Sequence, residues 1–285
     1  MTSLIIALIA SCVMSWLFKI AGLMELSVKK IAFFNYLTAF IGLWIFYKAQ
    51  NAPASSGNLT AGLTFLSAAL AASMVLNLIA LTLGTAVCGI NGATFFNRIG
   101  FLVSMILAVI FWRELPSFVQ IAGIASLLAG LFVMVRGTSI AGRGPGLPAG
   151  LCISSGMVIF FNAVYGRYFP EEKQILFIAL VFTTAFLLST LLLLTGKSAG
   201  NNADRGLLKM EALVGILIGL SNIVTTLFTL RSYSALPISI VAPVMSGGNM
   251  IFSAILGKAV YHEEFNRNTA LAIVLAGISL LLVNL

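Results

Sequence analysis

Acidic side chains and histidine are scarce in this chain, which has eight Asp and Glu and one His among 285 residues. Chemistry that needs several carboxylates or imidazoles at one place therefore has little to draw on. The three cysteines, Cys12, Cys88 and Cys152, all fall in apolar stretches without paired spacing. That pattern indicates neither a disulfide framework nor a zinc site. His262-Glu263-Glu264 lacks a second histidine and sits in a loop, so a metal site is not expected there either. No P-loop is present, which argues against ATP hydrolysis. No basic residue precedes the first apolar run, so a cleaved signal peptide is not expected.

Charge of both signs together is also thin, at 8% of residues against 60% hydrophobic, with a mean hydropathy of +1.09. A soluble domain carries about a quarter charged residues, so these values imply an integral membrane protein. The net charge of +8 then reads as loop lysines and arginines that meet anionic lipid headgroups. Nucleic acid is not implied as a partner.

Ten apolar runs can be placed: Ser3–Leu23, Ile31–Tyr47, Thr60–Leu83, Ala86–Phe111, Phe118–Val135, Leu147–Tyr165, Gln174–Thr195, Lys209–Leu230, Pro237–Val260 and Thr269–Val283. Lipid offers no partner for an unpaired backbone group, so each is read as a helix. The expected fold class is an all-α integral membrane protein with ten transmembrane helices. A Gly/Pro-rich connector, 137–148, separates a first five-helix unit, 1–136, from a second, 149–285. With five crossings in each half, the second half enters from the opposite side, giving two inverted five-helix repeats. The expected location is a cell (inner) membrane.

The repeat is legible in the residues themselves. Ser73–Glu114 laid over Asn222–Glu263 at a constant shift of 149 matches Val75 with Val224, Leu78 with Leu227, Ala93 with Ala242, Ser104 with Ser253 and Glu114 with Glu263. Polarity matches too: Ser73 and Asn77 fall opposite Asn222 and Thr226, and Asn97 opposite Ser246. Each copy is two long apolar segments joined by a short turn and closed by a glutamate. The closing helices pair through Ala129-Gly130 and Ala276-Gly277 at a shift of 147.

A short turn, a long helix ending in aromatic-x-Glu (Trp112-Arg113-Glu114 and Tyr261-His262-Glu263) and a Gly-rich fifth helix, all occurring twice, resemble the drug/metabolite transporter superfamily of the EamA type. The resemblance covers essentially the whole chain and implies a secondary transporter. Family members commonly carry a proline in the fourth and ninth helices. Pro243 matches in the second half, whereas Thr94 stands at the equivalent place in the first, and the basic loop after the second helix is absent. The chain thus resembles a divergent member. Counting loop Lys and Arg by the positive-inside rule places both termini outside, whereas the resemblance implies both inside.

The candidate site residues are polar groups within the apolar runs. Arg98 lies mid-run with Asn97 beside it, and a charge there costs at least about 2.5–3.5 kcal/mol on insertion scales. Asn91, Thr94 and Arg98 share one helical face. Arg98 reads either as an anchor for an anionic substrate or as a donor to carbonyls of a broken helix. Ser73 with Asn77, and Asn222 with Thr226, each sit four residues apart. Ser239, Ser246, Asn249 and Ser253 form a narrow stripe on the ninth run. Lys19 shares a face with Ser11 and Ser15. Arg231 and Tyr233 read as structural or gating residues, and Trp16, Tyr36, Asn162 and Tyr165 as wall residues or interfacial anchors. Gly215 and Gly219 form a GxxxG, which usually means close helix packing. Every acidic residue falls in a loop or at a helix end, so the expected intramembrane charge is positive.

These features give an expected function: alternating-access transport of a small polar metabolite, an amino acid or other carboxylate. The substrate would bind at a midplane site between the third, fourth, eighth and ninth helices, without a cofactor, in a monomer or homodimer. The alternative in the same class is multidrug or lipid-linked sugar export with a structural Arg98. A membrane enzyme or an interaction protein is disfavoured, because no set of His and acidic groups converges.

Overall fold

The computed structural model describes residues 1–49, 60–135, 146–195, 205–261 and 267–284. They form α1 (Thr2–Leu23), α2 (Val28–Ala49), α3 (Ala61–Trp112), α4 (Phe118–Val135), α5 (Gly146–Tyr168), α6 (Gln174–Thr195), α7 (Arg205–Ala235), α8 (Ile238–Tyr261) and α9 (Arg267–Val283). A 3-10 turn, Glu171–Lys173, leads into α6. No strand occurs among the described residues. Nine spans among them are long and apolar enough to cross a membrane, α3 supplying two, Ala61–Thr85 and Gly92–Trp112. α9 is shorter, with 17 residues, or about 26 Å at 1.5 Å per residue.

The sequence suggests a break near Gly84, but the backbone stays helical through all 52 residues of α3. It is nevertheless a hairpin. Asn77 donates a 2.9 Å hydrogen bond to Asn97, whereas twenty residues of straight helix would hold them about 30 Å apart. A Cβ added at Gly84 would lie 3.2 Å from that of Ala93, which places the bend between them. The repeat-equivalent turn behaves differently because it holds Pro237, where the first copy has Cys88. Proline removes an N–H and disfavours helix at the residue before it, so α7 stops at Ala235 and α8 starts at Ile238.

Two compact units are present, one formed by Met1–Val75 with Tyr165–Arg231, the other by Leu76–Val164 with Ser232–Leu285. Each draws on both sequence halves, and the boundaries fall inside α3, α5 and α7. In the first unit, α7 packs on α2 in parallel register. Cβ atoms at Gly215 and Gly219 would come within 2.6 Å of Phe34 and 2.7 Å of the Asn35 carbonyl. Only hydrogen fits there, which is how small-residue motifs bring backbones together in a membrane. Leu17, Ala21, Leu26, Ile31, Val214 and Ile218 form a core beside this contact.

The first unit also buries an acid. A helix-end position suggests access to water, and Glu211 does lie near the start of α7, yet only 2% of its side chain is exposed. Its carboxylate accepts the Ser27 N–H at 3.0 Å and meets Lys30 Nζ at 2.9 Å. A carboxylate is stabilised near a helix N-terminus by the unsatisfied N–H groups there, and Ser27 immediately precedes α2. The burial follows from the Gly215 contact one turn later, which draws α2 over Glu211.

In the second unit, α4 and α9 pack antiparallel. Gly123 lies against Ser279, Leu282 and Val283, and Gly130 against Ala272 and Leu275. Ser126 donates to the Leu275 carbonyl at 2.8 Å. α3 crosses α5 with still less room: a Cβ at Gly156 would stand 2.6 Å from the Gly100 carbonyl. Among the described residues, two other than glycine have positive φ, Glu25 (53°) and Arg113 (55°). Both sit just past a helix end. Leu26 N–H bonds the Ala21 carbonyl and Glu25 N–H that of Gly22, closing α1, while Arg113 N–H bonds Val109 to close α3. These are left-handed C-caps, a place usually held by glycine.

Candidate functional site

The polar residues expected to line one site fall into two sets, one in each compact unit. In the second unit, Arg98 donates to the Ser246 carbonyl at 3.1 Å, the Asn249 carbonyl at 3.4 Å and Ser253 Oγ at 3.1 Å. All three acceptors lie on α8, downstream of its internal Pro243. That proline withholds the N–H that the Ser239 carbonyl would otherwise receive. Past this interruption the guanidinium fork bridges successive turns of α8, which suits a planar, multi-donor cation. Asn249 and Ser253 are further tied to α8, by Nδ2 to the Met245 carbonyl and Oγ to the Asn249 carbonyl.

Beside this clamp, Asn77 and Asn97 pair amide to amide. Whichever way the amides are oriented, one NH2 and one carbonyl oxygen remain for another partner. The backbone around Asn97 is held by α5: Ser155 Oγ donates to the Asn97 carbonyl and Cys152 Sγ to that of Phe96. Thr94, Asn97, Arg98, Ser246 and Asn249 are all half-buried, so none is sealed in the core. Among the described residues, the Thr94 and Ser246 hydroxyls have no hydrogen-bond partner. α3 and α8 thus bring together one cation, an amide pair and two hydroxyls on otherwise apolar helices.

In the first unit, Asn222 Nδ2 donates to Asn35 Oδ1 at 3.3 Å, and Thr226 Oγ1 to Asn222 Oδ1 at 3.4 Å. Asn35, a polar residue inside the second apolar run, was not among the sequence candidates, because nothing in the sequence names its partner. The α2–α7 register, set by Gly215 and Gly219, is what delivers it to Asn222. All three residues are buried, and interhelical hydrogen bonds of this kind contribute about 0.6 kcal/mol on average. Ser73 is buried and bonds the Ala69 carbonyl. Ser11 and Ser15 likewise bond Leu8 and Ser11 carbonyls of their own helix. Lys19 is half-buried near the end of α1.

The remaining candidates are placed as follows. The side chain of Asn91 lies outside the described residues, as do His262, Glu263 and Glu264. Tyr36 is buried beside Phe182. Tyr165 stacks on Phe177 at 4.1 Å and donates to the Pro170 carbonyl, so it closes a turn. Arg231 sits 5.5 Å over the Phe228 ring, and Tyr233 is buried. Asn162 Nδ2 bonds the Val158 carbonyl, while its buried Oδ1 has no partner among the described residues, nor does the buried Trp16 indole N–H. No group of three or more His, Cys, Asp or Glu able to hold a metal occurs among the described residues.

The chain is similar to a solved crystal structure of another protein, with a TM-score of 0.76 at 14% identity, over 99% of this chain and 94% of that one. At that identity the likeness speaks to fold. No family model matches the sequence, and no curated protein matches it.

Proposed function

We propose that this protein is a secondary transporter of a small polar metabolite, of the drug/metabolite transporter type and working without catalysis or cofactor. The observation that carries the reading is the α3–α8 cluster: an arginine, an asparagine pair and accessible hydroxyls inside membrane-length helices. Polar groups at such depth are expensive and mark solute or ion pathways by default. Arg98 stands six residues inside the Gly92–Trp112 span, about 9 Å from its start. Among its acceptors are two carbonyls and a hydroxyl, neutral groups that solvate the guanidinium. An amino acid or other carboxylate suits that field and the free amide groups of Asn77 and Asn97. The antiparallel packing of α4 on α9, which the repeat makes equivalent, supports an inverted architecture and with it alternating access.

The same three contacts favour a second reading of Arg98. As a brace for the proline-interrupted α8, it would be structural, and the solute would be a lipophilic drug or a lipid-linked sugar. Transport in proteoliposomes separates the two. Asn77→Ala and Asn97→Ala leave the clamp in place, so on the first reading they depress carboxylate transport while the protein stays folded. Arg98→Lys keeps the charge but not the fork, so it retains partial carboxylate transport. Carboxylate transport unchanged in both asparagine variants and in Arg98→Ala removes the proposal. A thermal-shift screen against amino acids, organic acids, sugar phosphates and cationic dyes identifies the class, because a ligand of the folded state raises the melting temperature.

A further inference from the structure

The outer face of α3 carries a groove of about 280 Å³ lined by Leu102, Met105, Ile106, Val109, Ile110 and Pro116. No polar side chain borders it. From Leu102 to Ile110 it follows eight residues of helix, about 12 Å, close to the depth of one leaflet of a hydrocarbon core of about 30 Å. Ile106 and Ile110 along it are 59% and 66% exposed, so the groove opens outward.

Its end is a cap built around a cation. Arg113 lies between the groove residues Ile110 and Pro116 and is tied through its N–H to the carbonyl of Val109. Its side chain is exposed and has no hydrogen-bond or ion-pair partner among the described residues. Phe111, Leu115 and Phe118, near this end in the chain, are exposed by 66%, 78% and 91%. A positive charge where the apolar span stops, above a slot of acyl length, matches one amphiphile: a lipid with an anionic headgroup.

We infer that this face is a binding site for an anionic phospholipid, with one acyl chain along Leu102–Ile110 and the phosphate at Arg113. The site is independent of the polar cluster and of whatever solute is carried. The test uses the purified full-length protein in a neutral detergent and native mass spectrometry with phosphatidylglycerol, phosphatidylcholine or inorganic phosphate. Wild type retains phosphatidylglycerol over phosphatidylcholine by about fivefold, the ratio matching roughly 1 kcal/mol per basic residue at an anionic surface. Arg113→Gly loses that preference without unfolding, because glycine fits the left-handed cap, and Arg113→Lys restores most of it. Ile106→Trp, which fills the slot from an exposed position, lowers retention of both lipids. An undiminished preference in Arg113→Gly, or lipid retention untouched by Ile106→Trp, overturns the assignment. Displacement of the lipid by inorganic phosphate reassigns Arg113 to a free anion. A dimer that Ile106→Trp dissolves reassigns the groove to a second copy of the chain.

Discussion

Substituting alanine at Gly156 tests the packing on which the α3–α8 cluster stands. Helix propensity alone would make Gly→Ala stabilising by about 0.8–1.0 kcal/mol. At Gly156, however, the new methyl would meet the Gly100 carbonyl and Val103 Cβ at 2.6 Å, against ordinary contact from 3.4 Å. One neighbour is backbone, so the relief must come from a retreat of about 0.8 Å between α5 and α3. A radial gap of about 0.5–1 Å forfeits roughly a quarter to a half of each dispersion contact. The Ser155–Asn97 and Cys152–Phe96 hydrogen bonds lie on the same seam. Overpacking of this kind costs about 1–3 kcal/mol, which exceeds the propensity gain. Gly156→Ala is therefore destabilising by up to about 2 kcal/mol net. Gly150, on the same helix, and Gly277 have nothing within 4 Å of an added Cβ, so their alanine variants raise stability. Thermal unfolding in a mild detergent reads all three. A Gly156→Ala protein stabilised as much as the Gly277→Ala control would refute the close α3–α5 crossing.

Three further outcomes follow from named contacts. Glu25→Gly raises thermal stability by about 1 kcal/mol, because a left-handed conformation costs a side-chain-bearing residue about 1–2 kcal/mol; an unchanged or lower melting temperature contradicts the cap. Lys30→Met destabilises more than Glu211→Gln, since it leaves a buried carboxylate with only the Ser27 N–H. The double variant recovers most of that loss, and a double-mutant cycle without coupling would remove the ion pair from the account. Gly219→Leu disrupts the α2–α7 seam and the Asn222–Asn35 bond by overpacking of about 1–3 kcal/mol, measured by loss of monodisperse protein on size-exclusion chromatography, whereas Gly22→Leu, at an open position, leaves the profile intact.

The sequence itself settled the class of molecule. With so few charges and apolar runs of membrane length, helices are the way to satisfy every backbone group, and ten runs could be placed to within a few residues. It also marked Arg98, Asn97 and Asn77, because a polar residue inside an apolar run is costly wherever it points. The bend between the third and fourth runs does not interrupt the helix, for a local reason: without a proline at Cys88, the turn keeps its helical backbone while bending.

What tertiary structure alone decided is which identical residues do different work. Gly130 and Gly277 align in the repeat, yet a Cβ added at the first would meet the Ala272 carbonyl at 3.0 Å and one added at the second nothing within 4 Å. Glu211 lies near a helix end, yet the α2–α7 contact buries it. Asn35, not among the sequence candidates, became the partner of Asn222 through the same contact. Composition and periodicity report how much it costs to place a group in lipid or in water. Which neighbour it meets depends on helix register and crossing, set by steric fits between residues from about fifty to nearly two hundred positions apart.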